Sequence, residues 1–158
     1  MIRQTCKALA MLGLVTCLWV RPIAASAQDF PASSIPHANL VEPAALAASL
    51  KARSHRPLIL QVGFRVLFLQ AHIPGAEYVG PAGQDVGLQA LVKRVANVPK
   101  SAPIVIYCGC CPWGHCPNIA RAFDRLRALG FTNVKALHIA DDFGTDWVKK
   151  GYPVATNR

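Results

Sequence analysis

Four cysteines, Cys108, Cys110, Cys111 and Cys116, crowd into one short stretch of a 158-residue chain. Cysteines that staple a fold are usually scattered through it, so this clustering points to local chemistry. A thiolate, not a thiol, attacks sulfur and binds soft metals, and N–H groups or positive charge beside it stabilise it. The run Pro103–Tyr107 that leads into Cys108 is apolar and fit for a buried strand, and Asn118 reads as the N-cap of a following helix. The loop between them is therefore expected where main-chain N–H groups and the positive end of a helix dipole converge on Cys108. A thiolate held that way can attack sulfur and keep it as a persulfide, or bind an anion.

Three kinds of chemistry fit these residues. In the first, Cys108 carries a persulfide and Cys110, Cys111 or Cys116 resolves it through an internal disulfide. Gly109, Trp113, Gly114, His115 and Asn118 are then the candidate substrate-binding positions, and no cofactor is needed. In the second, Cys108, Cys110, Cys111 and Cys116 with His115 offer a soft metal site suited to Cu(I) or zinc, although the spacing matches no paired Cys-x2-Cys framework. In the third, the cysteines brace a long loop as oxidised pairs, with Cys116 joined to one of the others because a bridge between adjacent Cys110 and Cys111 is strained. Other conspicuous residues read as structural. His72 fixes a turn, His115 is an exposed loop histidine, Trp113 packs across the loop and Trp147 belongs to the core. Asp141, Asp142 and Asp146 are helix-start acids.

The elements that must position the loop follow from periodicity. Met1–Cys17 carries Arg3 and Lys7 ahead of the apolar run Ala8–Val20, which is too short to span a bilayer, and Ala25-Ser26-Ala27 supplies small residues for cleavage. Residues 1–27 are thus expected to be a secretory signal, 28–39 a flexible lead-in and 40–155 one domain, exported to the periplasm or secreted. No stable membrane insertion is expected after cleavage. Arg3, Lys7 and Arg21 leave with the signal, yet the remainder stays net positive, since the whole chain has 17 basic and 8 acidic residues. In an exported protein such a field favours anionic small molecules or an anionic membrane surface over nucleic acid, and a solvated basic surface with no specific partner fits it better still. A helix is predicted from Glu42-Pro43 through Lys51, a strand at Leu58–Val62 and a short helix at 64–70. A brief strand follows near Tyr78-Val79, then an amphipathic helix at Val86–Asn97 and a strand at Pro103–Tyr107. A helix from Asn118 to the stop at Gly130, a strand at Val134–Leu137 and a helix at Asp142–Lys150 complete the order. Alternation of strands and helices predicts an α/β domain whose sites lie beyond the carboxyl ends of parallel strands.

A further set of residues appears in a fixed order: His72-Ile73-Pro74-Gly75-Ala76, Ile104-Val105-Ile106-Tyr107-Cys108, Leu129-Gly130-Phe131, Asn133-Val134, and Trp147 followed by Gly151-Tyr152-Pro153-Val154. Over Leu40 to Val154 the chain resembles the rhodanese family through them. The resemblance implies a rhodanese-like three-layer α/β domain, a central parallel sheet covered by helices on both faces. It also implies that Cys108 stands at the sulfur-accepting position, in a family that moves sulfane sulfur from a donor such as thiosulfate to a thiol or cyanide. The partner implied by the resemblance is a small sulfur-containing anion or a thiol acceptor. The chain departs from the family pattern at the site. Gly109–Pro117 holds no arginine, Arg121 lying inside the next helix, and the common Asp-Val-Arg is replaced by Gln61-Val62-Gly63 with Arg65 nearby. A paired glycine before the last helix is replaced by Ile139-Ala140.

Overall fold

The computed structural model describes residues 34–51 and 56–156. The expected signal, with Cys6 and Cys17, and the lead-in up to residue 33 lie outside the described residues. Among the described residues no helix is long and apolar enough to cross a membrane. The last part of the lead-in is packed: Ile35 is buried in the core and a 3-10 turn at His37–Asn39 delivers the chain into the sheet.

Five parallel strands form one sheet in the order β1-β5-β4-β2-β3, with β1 at Leu40–Val41, β2 at Leu58–Gln61, β3 at Glu77–Tyr78, β4 at Ile104–Tyr107 and β5 at Val134–Leu137. Strand β1, a two-residue edge strand paired with β5, has no counterpart among the sequence-based expectations. Two residues are too few to show a period. The helices are α1 at Pro43–Ser49, α2 at Arg65–Gln70, α3 at Asp85–Val95 and α4 at Pro117–Ala128. The predicted last helix is a single π-helical turn, Gly144–Val148, around the fully buried Trp147. Its start is held as expected of helix-start acids: Asp142 accepts from the Thr145 backbone N–H (2.8 Å) and Asp146 from that of Asp141 (2.7 Å).

Side chains alternate across a strand, so a sheet covered on both sides sorts its residues into two cores. Ile104 and Ile106 of β4 join Leu60, Val134 and Ala136 beneath α3 and α4, which contribute Leu91, Val95, Ile119 and Leu126. Val105 and Tyr107 face the other way, against Leu46 and Ala47 of α1 and against Phe143 and Trp147. Each fully buried leucine or isoleucine stabilises the fold by about 1.5–3 kcal/mol relative to exposure. Helix α4 ends as its sequence predicts. Gly130 adopts φ +86°, its N–H reaches Arg127 O, and that of Phe131 reaches back to Leu126 O. This is the paired C-terminal lock that a left-handed glycine permits.

The His72-Ile73-Pro74-Gly75 turn serves the scaffold. His72 is buried, stacks on Phe68 with ring centroids 4.0 Å apart, and bonds Phe68 O through Nδ1 at 2.8 Å. Its backbone pairs with Ala155, and the Ile73 N–H donates to the Tyr107 hydroxyl. The motif thus ties the C-terminal segment and β4 together.

Candidate functional site

The strand pleat aims Cys108. Two residues beyond Ile106, it falls on the same side of β4, beneath the start of α4, and is 4% exposed. Its Sγ lies 3.0 Å from Cys110 Sγ and receives a hydrogen bond from Asn118 Nδ2 at 3.2 Å. Two glycines make this approach possible. Gly109 turns the chain with φ +71°, and a Cβ there would lie 2.6 Å from the Cβ of Phe143. At Gly63, following β2, a Cβ would sit 2.9 Å from both Cys108 Sγ and Gln61 Nε2. Gly63 therefore keeps open the space that the Cys108 sulfur fills. Gln61 is 2% exposed and donates to the Cys108 carbonyl at 3.3 Å, while its Oε1 has no hydrogen-bond partner among the described residues.

Asn118 does not cap α4. Helix α4 begins at Pro117, with Cys116 at the N-cap and no side-chain cap bond. Proline suits the first helical position because its missing N–H would have no partner there. That moves Asn118 one residue into the helix and turns its amide inward, where it is 2% exposed. Its Oδ1 accepts the Gly83 N–H at 2.7 Å, and its Nδ2 reaches Cys110 Sγ at 3.7 Å as well as Cys108. Nor do the helix N–H groups ring Cys108. Those of Asn118 and Ile119 favour the thiolate of Cys116 instead, and Cys108 is held by a side-chain amide and a neighbouring thiol.

These contacts decide where negative charge rests. Cys110 is drawn well below the usual thiol range by hydrogen bonds from Cys108 first, then Cys116, with Cys111 and Asn118 adding to them. Cys108 moves up, because it gives its bond to Cys110 and to Cys116 and because it is buried. Burial, followed by its bond to Cys110, also raises Cys111. For Cys116 the bond with Cys108 lowers the thiol, but Cys110 and burial outweigh it together with the backbone N–H groups, and the balance is upward. The S–H···S contacts thus favour a thiolate on Cys110 over one on Cys108.

Of the residues expected at the site, the structure brings Cys108, Cys110 and Cys116 together, their Sγ atoms all within 4.8 Å of one another. Cys111 touches Cys110 at 3.2 Å but stands outside that triplet, and His115 is exposed. Gly114 has nothing within 4 Å of where a Cβ would be. Trp113 packs edge-on against His138 with centroids 5.2 Å apart, and its N–H bonds Ala140 O, so it closes the loop over the thiols. All four cysteines are free thiols here. Gln61 and Gly63 stand where the sequence departs from the family pattern, whereas Gly83 carries no such signal; the fold brings Gly63 against Cys108 and Gly83 against Asn118.

Two spaces adjoin the sulfurs. A void of about 10 Å³ lies between Cys108, Cys111, Trp113 and Cys116, which is room for about one water-sized group. On the outer side, a cleft of about 580 Å³ runs past Phe64, Pro81, Gly83, Cys116, Asn118 and Arg121. Arg121 projects from α4 and pairs with Asp85 at 3.0 Å.

The family model for the rhodanese-like domain matches residues 42–138. Among solved structures, the chain is similar to the Alr3790 protein from Anabaena sp., with 24% identity, a TM-score of 0.57, and 73% of this chain and 91% of that one covered. It is also similar to the BH2092 protein from Bacillus halodurans, with 21% identity, a TM-score of 0.57, and coverage of 74% and 76%. At these identities the likeness speaks for the fold. Among curated proteins none matches the chain.

Proposed function

Because the chain belongs to the rhodanese-like domain family, we propose that it accepts sulfane sulfur and carries it as a persulfide on Cys108. The observation that carries the reading is the thiol pair at the end of the central strand, Cys108 Sγ at 3.0 Å from Cys110 Sγ. The reacting form is the minor one, in which the proton shared across the 3.0 Å Cys108–Cys110 contact rests on Cys110 and the charge on Cys108. The Cys108 sulfur then attacks the outer sulfur of a donor such as thiosulfate. A new S–S bond forms, the donor S–S bond breaks, and sulfite leaves with the electron pair. The void beside Cys108 offers space for the added atom, and the Asn118 amide stands ready to stabilise its charge.

Release has two routes. An acceptor thiolate removes the outer sulfur and leaves the Cys108 thiolate. Alternatively, Cys110 attacks the inner sulfur and expels hydrosulfide, and the resulting Cys108–Cys110 disulfide is returned to thiols by an external dithiol. The cleft reaches Cys116 and Asn118, whose amide touches Cys108, and is the side from which a small sulfur-containing anion or a thiol would come. Arg121 stands on its rim as a positive charge in a chain whose loop has none. The leader pattern of residues 1–27 puts this chemistry outside the cytoplasm in our reading, in the periplasm or beyond.

Incubating the reduced protein with thiosulfate or polysulfide and weighing it intact tests the proposal. The expected gain is one sulfur atom per chain, abolished in Cys108→Ser. No gain in the parent protein, or an undiminished gain in Cys108→Ser, overturns it.

A further inference from the structure

We propose that Cys108, Cys110 and Cys116 form a three-thiolate site for Cu(I), which shares Cys108 with the sulfur chemistry. Their Sγ atoms lie within 4.8 Å of one another and converge from two elements, the end of β4 with its glycine turn and the start of α4. Metal–sulfur bonds of about 2.3 Å place three sulfurs around one ion about 4 Å apart. The triplet needs shifts of about an ångström to reach that spacing.

The donor set selects the ion. Thiolates are soft ligands, suited to Cu(I), which accepts three of them, whereas structural zinc takes four ligands in a tetrahedron. Among the described residues Cys111 touches only one edge of the triplet, 3.2 Å from Cys110, and does not join the mutual 4.8 Å grouping, while His115 is exposed on the loop. Cys108 and Cys116 are at most 9% exposed and Cys110 is partly buried, so two of the three sulfurs are shielded from water. The surroundings suit an anionic complex. Asn118 Nδ2 points at Cys108 and Cys110, the N–H groups of Asn118 and Ile119 face Cys116, and such outer contacts orient metal-binding sulfurs. Gly63, lacking a side chain, leaves the Cys108 sulfur the space it occupies beside the other two.

Cu(I) and a persulfide compete for the same Cys108 sulfur, so copper-loaded protein takes up no sulfane sulfur. The test titrates the reduced full chain anaerobically with acetonitrile-stabilised Cu(I) against a coloured Cu(I) chelator, with zinc run in parallel. Expected are one Cu(I) per chain, X-ray absorption showing sulfur neighbours alone, and at least a tenfold loss of affinity in each of Cys108→Ser, Cys110→Ser and Cys116→Ser. Cys111→Ser and His115→Ala retain parent affinity. Each variant is checked by far-UV circular dichroism, and the stoichiometry and X-ray readouts use the parent chain alone. Absence of stoichiometric Cu(I) in fully reduced protein, nitrogen in the copper shell, tighter zinc than copper, or an equal loss in Cys111→Ser or His115→Ala each overturns the site. Sulfur uptake is read by mass on copper-free protein, so either proposal can fail without the other.

Discussion

Replacing Asn118 by Asp changes one atom of the site and isolates what the amide does. In the parent, Asn118 Oδ1 accepts the Gly83 N–H at 2.7 Å, and Nδ2 donates to Cys108 Sγ at 3.2 Å. Aspartate keeps the acceptor toward Gly83 and puts an oxygen where the donor was. A hydrogen bond to a charged partner contributes about 1.5–3 kcal/mol, and each 1.4 kcal/mol is a factor of about ten. Thiolate formation in the Cys108–Cys110 pair should therefore fall by about one to two powers of ten, more if the new carboxylate is ionised. The assay is the rate of alkylation by iodoacetamide across a pH series, followed residue by residue by mass spectrometry, with thermal unfolding in parallel. Asn118→Ala is the companion variant. It also strands the Gly83 N–H, so it should lose about a further 1–3 kcal/mol of stability, which Asn118→Asp does not. An Asn118→Asp protein whose Cys108 and Cys110 react within about twofold of the parent rate would refute the reasoning.

Three more perturbations follow from the same geometry. Gly63→Ala sets a Cβ 2.9 Å from Cys108 Sγ and Gln61 Nε2, and such overpacking costs about 1–3 kcal/mol; denaturant unfolding should show it, together with slower sulfur uptake. Gly109→Ala meets both a left-handed backbone and the Phe143 Cβ at 2.6 Å, so the loop should lose its closed form, read as faster hydrogen exchange at Cys110–Cys116. Glu77 is held below its ordinary value of 4.5 by its hydrogen bonds from Arg94, which join β3 to α3. A depressed carboxyl contributes stability above its unfolded value and loses it as pH falls through the folded one, so Glu77→Gln should cost about 0.5–1 kcal/mol at neutral pH and nothing in strong acid, measured by urea unfolding at both.

Much of the scaffold was legible because its signals are local. The apolar runs before Gly63 and Cys108, the periodic face of α4 and the stop at Gly130 each state their own element, and the family resemblance supplied the order in which they assemble. The two-residue strand β1 carries no period, and the last helix shortened to one π-helical turn around Trp147, which tertiary packing, not propensity, decides. At the site the sequence placed four thiols in one loop but not their mutual distances. Asn118 fits a cap and an inward amide equally well by residue type, and Pro117 ahead of it tips the balance toward the second. That Cys116, not Cys108, faces the helix N–H groups depends on how a nine-residue loop folds back, which spacing alone does not fix. Gly63 and Gly83 come from distant turns, and only the sheet order brings them against Cys108 and Asn118.

The most direct measurement locates the sulfur. Copper-free protein is loaded with polysulfide, its thiols and persulfides are capped with one alkylating reagent, and the Cys108–Cys116 peptide is sequenced by tandem mass spectrometry. The added sulfur atom is expected on residue 108 in the initial product, followed by a Cys108–Cys110 disulfide once the acceptor is withheld. An extra sulfur confined to Cys111 or Cys116, with Cys108 capped as a plain thiol throughout, would contradict it.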